Sequence, residues 1–222
     1  MFDINATNAE LEKLTPEEIV WWAIQKFGKE IILSSSFGDQ SAVMLHMATQ
    51  LWPEIPVIVI DTGYFFPETY VFMSTLAQRF KLNLQVHRSE VSPTEMEGTF
   101  GKLWETNIAE YNIMRKVVPM EDALKKLKPK VWLTGVRASQ TTERQSFKIV
   151  EERPDGILKV NPILRWAGQD VGRYMIKHGL PYHPLVEKGY FSIGDWHSTL
   201  PGQGREGRFD GKMEECGLHT LR

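Results

Sequence analysis

One cysteine occurs in the 222 residues, Cys216, within Glu214-Glu215-Cys216-Gly217-Leu218-His219 near the end of a polar, glycine-rich segment. A lone cysteine is most often a small buried hydrophobe. From Pro201 onward, however, only Phe209, Met213, Leu218 and Leu221 are large and apolar, so an exposed thiol is the better reading. The thiolate is the nucleophile, and an ordinary pKa of ~8.5 leaves only a few per cent of it at neutral pH. His219 and nearby arginines would lower that value, while Glu214 and Glu215 would raise it, and residue types alone leave the balance open.

A second set of residues suits an anion. Ser34-Ser35-Ser36-Phe37-Gly38 runs from a short apolar stretch into a helical pattern beginning at Ser41. Hydroxyls and free N–H groups at a helix start bind phosphate or sulfate, although serines there equally often just cap the helix. The chain lacks the G-x-x-x-x-G-K-[ST] loop, and its single G-x-G-x-x-G match, Gly202 to Gly207, follows no strand. Asp61-Thr62-Gly63 and Gly135-Val136-Arg137 close two further strand-like runs. Arg115 with Lys116, Arg137 with Arg144, and Arg205 with Arg208 are the cations available to clamp clustered phosphates, though each alone reads as a solvated charge. His183, His197 and Asp195 lack metal-ligand spacing, so no metal site is expected.

These residues need a scaffold, and the chain supplies one. Thr15-Pro16-Glu17-Glu18 is a capping box with proline at the first helical position, followed by Ile19, Val20, Ala23 and Phe27 at helical spacing. Strands are expected at 31–33, 57–60, 84–87 and 131–134, alternating with helices from Ser41 to about Leu51, near Pro67, near 119–127 and at about 169–177. That alternation predicts an α/β, doubly wound, mostly parallel sheet. Residues 147–152 and 157–160 flank Pro154-Asp155-Gly156 and predict a hairpin. Residues 1–200 are read as the binding domain and 201–222 as a mobile tail carrying the cysteine.

Composition bounds the function. A net charge of −2 provides no overall basic field for nucleic acid or an anionic membrane. No apolar run approaches the ~18 residues of a bilayer span, and residues 1–12 lack a signal-peptide pattern, so a cytoplasmic location is expected. A single cysteine excludes an intrachain disulfide and any all-cysteine metal or iron–sulfur site.

Taken together, these segments resemble the phosphoadenylylsulfate reductase family of the PP-loop (adenine nucleotide α-hydrolase-like) superfamily. The similarity runs from about Ile31 to His219 and rests on Ser34 to Gly38, Asp61-Thr62-Gly63-Tyr64, Gly101-Lys102-Leu103-Trp104, Tyr190 to Thr199, Arg205 to Phe209 and Glu215-Cys216-Gly217-Leu218-His219. The resemblance implies that Cys216, with His219, carries catalysis. It implies substrate contacts from Ser34, Ser35, Ser36, Phe37, Gly38, Asp61, Thr62, Gly63, Lys102, Arg115, Lys116, Gly135, Arg137, Arg144, Arg205 and Arg208. It further implies a homodimer, a tail that closes over the site, 3′-phosphoadenylyl sulfate as substrate, and thioredoxin or glutaredoxin as reductant. Cluster-containing relatives carry two cysteine pairs; Tyr111-Asn112 and Asp195 with Ser198 stand in their places, so the chain resembles the cluster-free branch and no cofactor is expected. Asp39 and Ala138 lower the local positive charge and set the expected 3′-phosphate discrimination low. The alternatives are a cluster-free adenylyl sulfate reductase, a PP-loop nucleotidyl transferase such as an ATP sulfurylase subunit, and a nucleotide-binding regulator without turnover. The two non-reductase alternatives leave the cysteine motif without a purpose.

Overall fold

The structure, a computed structural model, describes residues 2–202 together with Glu215, Gly217 and Leu218. Helices α1 (Ile4–Leu11) and α2 (Pro16–Phe27) precede β1 (Ile31–Ser34), α3 (Ser41–Leu51), β2 (Pro56–Ile60), α4 (Pro67–Phe80) and β3 (Asn83–His87). Then come α5 (Pro93–Phe100), α6 (Leu103–Thr106), α7 (Ile108–Asn112), a π-turn (Ile113–Val117), α8 (Val118–Leu127), β4 (Val131–Leu133), β5 (Val150–Glu152), β6 (Leu158–Val160) and α9 (Gly168–Lys177). The sheet order is β3-β2-β1-β4-β6-β5, parallel throughout except for the β5–β6 hairpin.

Period-two alternation puts apolar residues on both faces of the central strands. Ile31, Leu33, Val57, Val59, Val131 and Leu133 join one large core with α2 and α3, whereas Ile32, Ile58, Ile60 and Trp132 face Met120, Ala123 and Leu124 of α8. Strands covered on both sides must read as unbroken apolar runs, which is why they were recognisable as short β-branched stretches. The capping box forms at Thr15, whose hydroxyl accepts from the Glu18 N–H while the Glu18 carboxylate accepts from the Thr15 N–H.

Two elements depart from the sequence reading. Helix α1 was not expected, because it carries little apolar periodicity. It is anchored instead by Asn8, whose side-chain amide donates to the Val150 carbonyl and accepts from the Val150 N–H, both at 2.9 Å. The amide thus acts as a strand partner for the free edge of β5. The π-turn precedes the helix expected near 119–127, next to Pro119, which supplies no N–H, and the Val118 N–H reaches back to the Ile113 carbonyl.

Candidate active site

The chain runs outward from β1 to β2 and β3, then returns to the other side of β1 with β4 and β6. The strand order therefore reverses between β1 and β4, and in open parallel sheets ligands bind at that switch point, beyond the carboxyl ends of the strands. The serine loop leaves β1 there and Gly135-Val136-Arg137 leaves β4 beside it. The Ser34 hydroxyl accepts from the Trp132 indole at 2.8 Å, and the Ser35 hydroxyl accepts from the Phe37 N–H at 3.2 Å. Phe37 is wholly buried and holds φ at 51°, a left-handed conformation that costs a non-glycine residue about 1–3 kcal/mol and is concentrated at ligand sites. Gly38 packs closely under the segment 190–199, since a Cβ there would lie 3.3 Å from the Ile193 carbonyl oxygen. No side chain caps α3, so its N-terminal dipole faces the loop.

Arg137 bridges the two loops by donating to Gln40 Oε1. Burial disfavours its charge, nearby Asp39 restores part of it, and Arg144 opposes it again. A buried cation so placed gains from an incoming anion. The loops thus present a hydroxyl-lined helix start and a guanidinium on either side of the switch point, a cradle for a phosphate or sulfate group.

The second strand's turn has a different job. Both oxygens of the buried Asp61 carboxylate are engaged: Oδ1 by the Gly63 N–H and the Tyr70 hydroxyl, Oδ2 by Nε and Nη2 of Arg88 at 2.9 and 2.7 Å. Thr62 donates its hydroxyl to Asp195. Gly63 has φ +79° and a Cβ on it would lie 2.6 Å from Pro93 Cγ, so the position accepts only glycine. Arg115, 1% exposed, donates to the carbonyls of Thr62 and Val91. Lys116 pairs with Asp195 at 2.7 Å. These residues were expected to touch substrate, but the structure turns their side chains onto protein partners. Lys102 lies on the surface beside Glu105, outside the cradle.

Asp195 is the centre of that internal cluster, accepting from Thr62, from the Tyr111 hydroxyl at 3.0 Å and from Lys116. Burial alone pushes its carboxyl up, but Lys116, Thr62 and His197 overcome this and hold it down at about 2. The Tyr111 hydroxyl is pushed far above its usual range, by burial first and then by Asp195, and remains a donor. Tyr64, Trp104, Tyr111 and His197 wall the cluster, with Trp104 and His197 stacked 4.4 Å apart. The sequence reading set Asp195 aside as a metal ligand and took Asp195 and Tyr111 as standing in the place of cysteines; it did not find the ion pair with Lys116. The proximity of Lys116 to Tyr111 in the chain was the available signal.

At the other side of the cradle, Arg144 makes a bidentate pair with Glu215, Nε to Oε1 at 2.6 Å and Nη2 to Oε2 at 2.8 Å. Gly217 lies against Val117, and Leu218 packs on the Ile32–Ile58–Trp132 cluster. Residue types alone left the charge balance around the cysteine open; here the Glu215 carboxylate is paired with Arg144. Cys216, His219, Arg205 and Arg208 lie outside the described residues. Among the described residues no group of three or more His, Cys, Asp or Glu side chains is placed to hold a metal ion.

The fold is an open, mostly parallel α/β sheet with a cradle suited to an anion at its switch point. With a TM-score of 0.62 at 18% identity, the chain shares its fold with the Candida glabrata FMN adenylyltransferase solved with ATP, over 88% of this chain and 64% of that one. A nearer likeness separates the branch. The phosphoadenylyl-sulfate reductase of Candida auris, solved as a phosphate complex, superposes with a TM-score of 0.79 at 32% identity, covering 89% of this chain and 96% of its own. The phosphoadenosine 5′-phosphosulfate reductase of a Synechococcus strain is 50% identical over 96% of this chain and 95% of its own length. The family model described as the phosphoadenosine phosphosulfate reductase domain matches residues 30–201, and the chain belongs to that family.

Proposed function

We propose that the chain reduces 3′-phosphoadenylyl sulfate to sulfite and adenosine 3′,5′-bisphosphate, in sulfate assimilation. The Cys216 thiolate attacks the sulfate sulfur, an S–S bond forms, and the sulfur–oxygen bond to the phosphate breaks. The bisphosphate departs as an anion stabilised by the cradle of serine hydroxyls and α3 N–H groups, with Arg137 holding the 3′-phosphate. A dithiol, thioredoxin or glutaredoxin, then attacks the Cys216 sulfur. Sulfite leaves with the electron pair of the S–S bond, and the second thiol of the dithiol resolves the mixed disulfide. Two electrons thereby pass from the dithiol to sulfur, and no metal or cofactor is required. The reading includes a homodimer and a cytoplasmic location, where such dithiols are kept reduced. Among the described residues no helix is long and apolar enough to cross a membrane.

The observation that supports this best is the seating of Glu215, Gly217 and Leu218, the chain neighbours of the only cysteine, beside the switch-point cradle. The test is mass spectrometry after incubation with substrate and no reductant. A gain of about 80 Da, the mass of a sulfo group, is expected on the peptide containing Cys216 and is absent in Cys216→Ser. An adduct on any other residue, or none in a protein that turns over with reductant, overturns the reading.

A further inference from the structure

Arg144 looks from the sequence like a phosphate ligand, yet each of its three guanidinium nitrogens donates to a protein acceptor. Nε and Nη2 hold the two oxygens of Glu215, and Nη1 donates to Gln140 Oε1. Thr141 adds its hydroxyl to Glu215 Oε1 at 2.8 Å. Both charged side chains are enclosed, Arg144 at 6% exposure and Glu215 at 9%. Gln140 Oε1 also accepts from the Arg137 N–H at 3.2 Å, and Arg137 in turn reaches Gln40 at the end of the serine loop. One chain of hydrogen bonds therefore runs from the loop that cradles an anion to the residue preceding Cys216.

The seat is more than one ion pair. Gly217 has φ +84°, a left-handed conformation suited to glycine, and packs against Val117 in the π-turn. Leu218, half-buried, packs against the Trp132 cluster. An anion exchanging with Glu215 would have to enter an already enclosed fork. A bidentate, desolvated guanidinium–carboxylate pair fixes orientation as well as distance.

We propose that Glu215 is a positioning residue, whose carboxylate docks in the Arg144–Thr141 receptor so that Cys216 is presented to the substrate sulfur, and that Arg144 serves this dock rather than a substrate phosphate. This rests on the assignment of Cys216 as nucleophile. A misplacement of about 1 Å at a reacting atom is enough to cost a hundredfold in rate, so loss of the dock should appear in the chemical step and not in binding.

The experiment uses the full-length chain and its Glu215→Gln, Glu215→Asp and Arg144→Gln variants. It measures the single-turnover rate of sulfo-adduct formation at saturating 3′-phosphoadenylyl sulfate, the Kd of adenosine 3′,5′-bisphosphate, and the melting temperature as a check on folding. Glu215→Gln is expected to slow adduct formation about ten- to a hundredfold, with KM and Kd changed by less than about threefold. Glu215→Asp, which keeps the charge but shortens the reach, should fall between it and the wild type. Arg144→Gln should match Glu215→Gln. Adduct formation at the wild-type rate in Glu215→Gln overturns the proposal while leaving Cys216 as the nucleophile. Tighter nucleotide binding in Glu215→Gln, mirrored by weaker binding in Arg144→Gln, also overturns it, since Glu215 would then be a stand-in for phosphate. Absence of a Cys216 adduct in active wild-type protein removes the nucleophile assignment itself, and the positioning role with it, before any variant is compared.

Discussion

Asp195 and Glu215 are both buried carboxylates held by one cation and by hydroxyl donors, but they join different things. Asp195 ties the β2 turn, α7 and the π-turn to the segment 190–199, all within the body of the protein. Glu215 ties the C-terminal segment to that body through Arg144 and Thr141. The first is supported by two hydroxyls, an ammonium and an aromatic wall; the second by one guanidinium and one hydroxyl. Isolated buried charge is expensive, so a contact that never opens must be fully surrounded, whereas one that presents a reactive group needs fewer, more directional partners. The comparison predicts that damage to Asp195 appears in stability and damage to the C-terminal segment appears in chemistry.

The largest effect is expected on the chemical side. Cys216→Ser, or removal of the residues after Pro201, should abolish sulfite formation while adenosine 3′,5′-bisphosphate still binds, because the described cradle lies wholly in the body. A truncated chain that turns over would place the chemistry in the body and erase the distinction. On the structural side, Asp195→Ala leaves Lys116 charged and without its carboxylate. Removing one member of a buried pair costs about 3–5 kcal/mol, which at this chain length lowers Tm by roughly 6–20 °C. Differential scanning fluorimetry checks this, and an unchanged Tm with lost turnover would make Asp195 part of the chemistry.

Arg137 lies in the cradle, joined to Arg144 through Gln140, and sharpens the comparison further. An arginine holding the 3′-phosphate contributes about 1.5–3 kcal/mol, or roughly ten- to a hundredfold in discrimination. Wild-type kcat/KM should be higher for 3′-phosphoadenylyl sulfate than for adenylyl sulfate. Arg137→Ala should lower the first more than the second, with Tm shifted less than by Asp195→Ala. An equal fall for both substrates would assign Arg137 to the part of the nucleotide they share. Iron analysis accompanies these assays, and a colourless, iron-free protein is the expected result.

The regions also differ in how far they were legible. Strands β1, β2 and β4 could be read because burial on both faces forces short apolar runs, and the polar loops at their carboxyl ends could be read with them. The switch point between β1 and β4 needed the strand order of the structure. The two carboxylate clusters could not be read. Tyr111 and Asp195 are 84 positions apart, and Arg144 and Glu215 are 71 apart. No periodicity encodes a contact of that kind; only the packed sheet brings its ends together. Residue type alone did not show what the side chains of Asp61, Arg115 and Lys116 meet within the protein, where they hold the turn after β2.

The smallest expected effect concerns protons and separates the body's stability from the docking of Glu215. His183 is buried, its Nδ1 accepting from the Leu185 N–H and its Nε2 facing the Thr69 hydroxyl at 3.0 Å. A ring nitrogen that accepts a backbone N–H carries no proton, so the buried imidazole is the neutral tautomer. Burial lowers its pKa to about 4, with Glu68 opposing weakly. The unfolded chain has the ordinary value near 6.5 and so binds the proton first, and stability present above pH 6.5 is lost as pH falls towards 4. Between pH 6.5 and 5.5 the loss is about 1 kcal/mol, or roughly 2–4 °C in Tm. His46 and His87 are also lowered, burial leading in both, and add with the same sign. Asp195 stays charged across this window, since its carboxyl is held at about 2. Urea unfolding at each pH, compared between wild type and His183→Asn, isolates the contribution. The adduct-forming rate, corrected for the thiolate fraction of Cys216, should not follow that titration. If it does, the body and the docked segment respond as one unit, and the two carboxylates do not divide stability from chemistry.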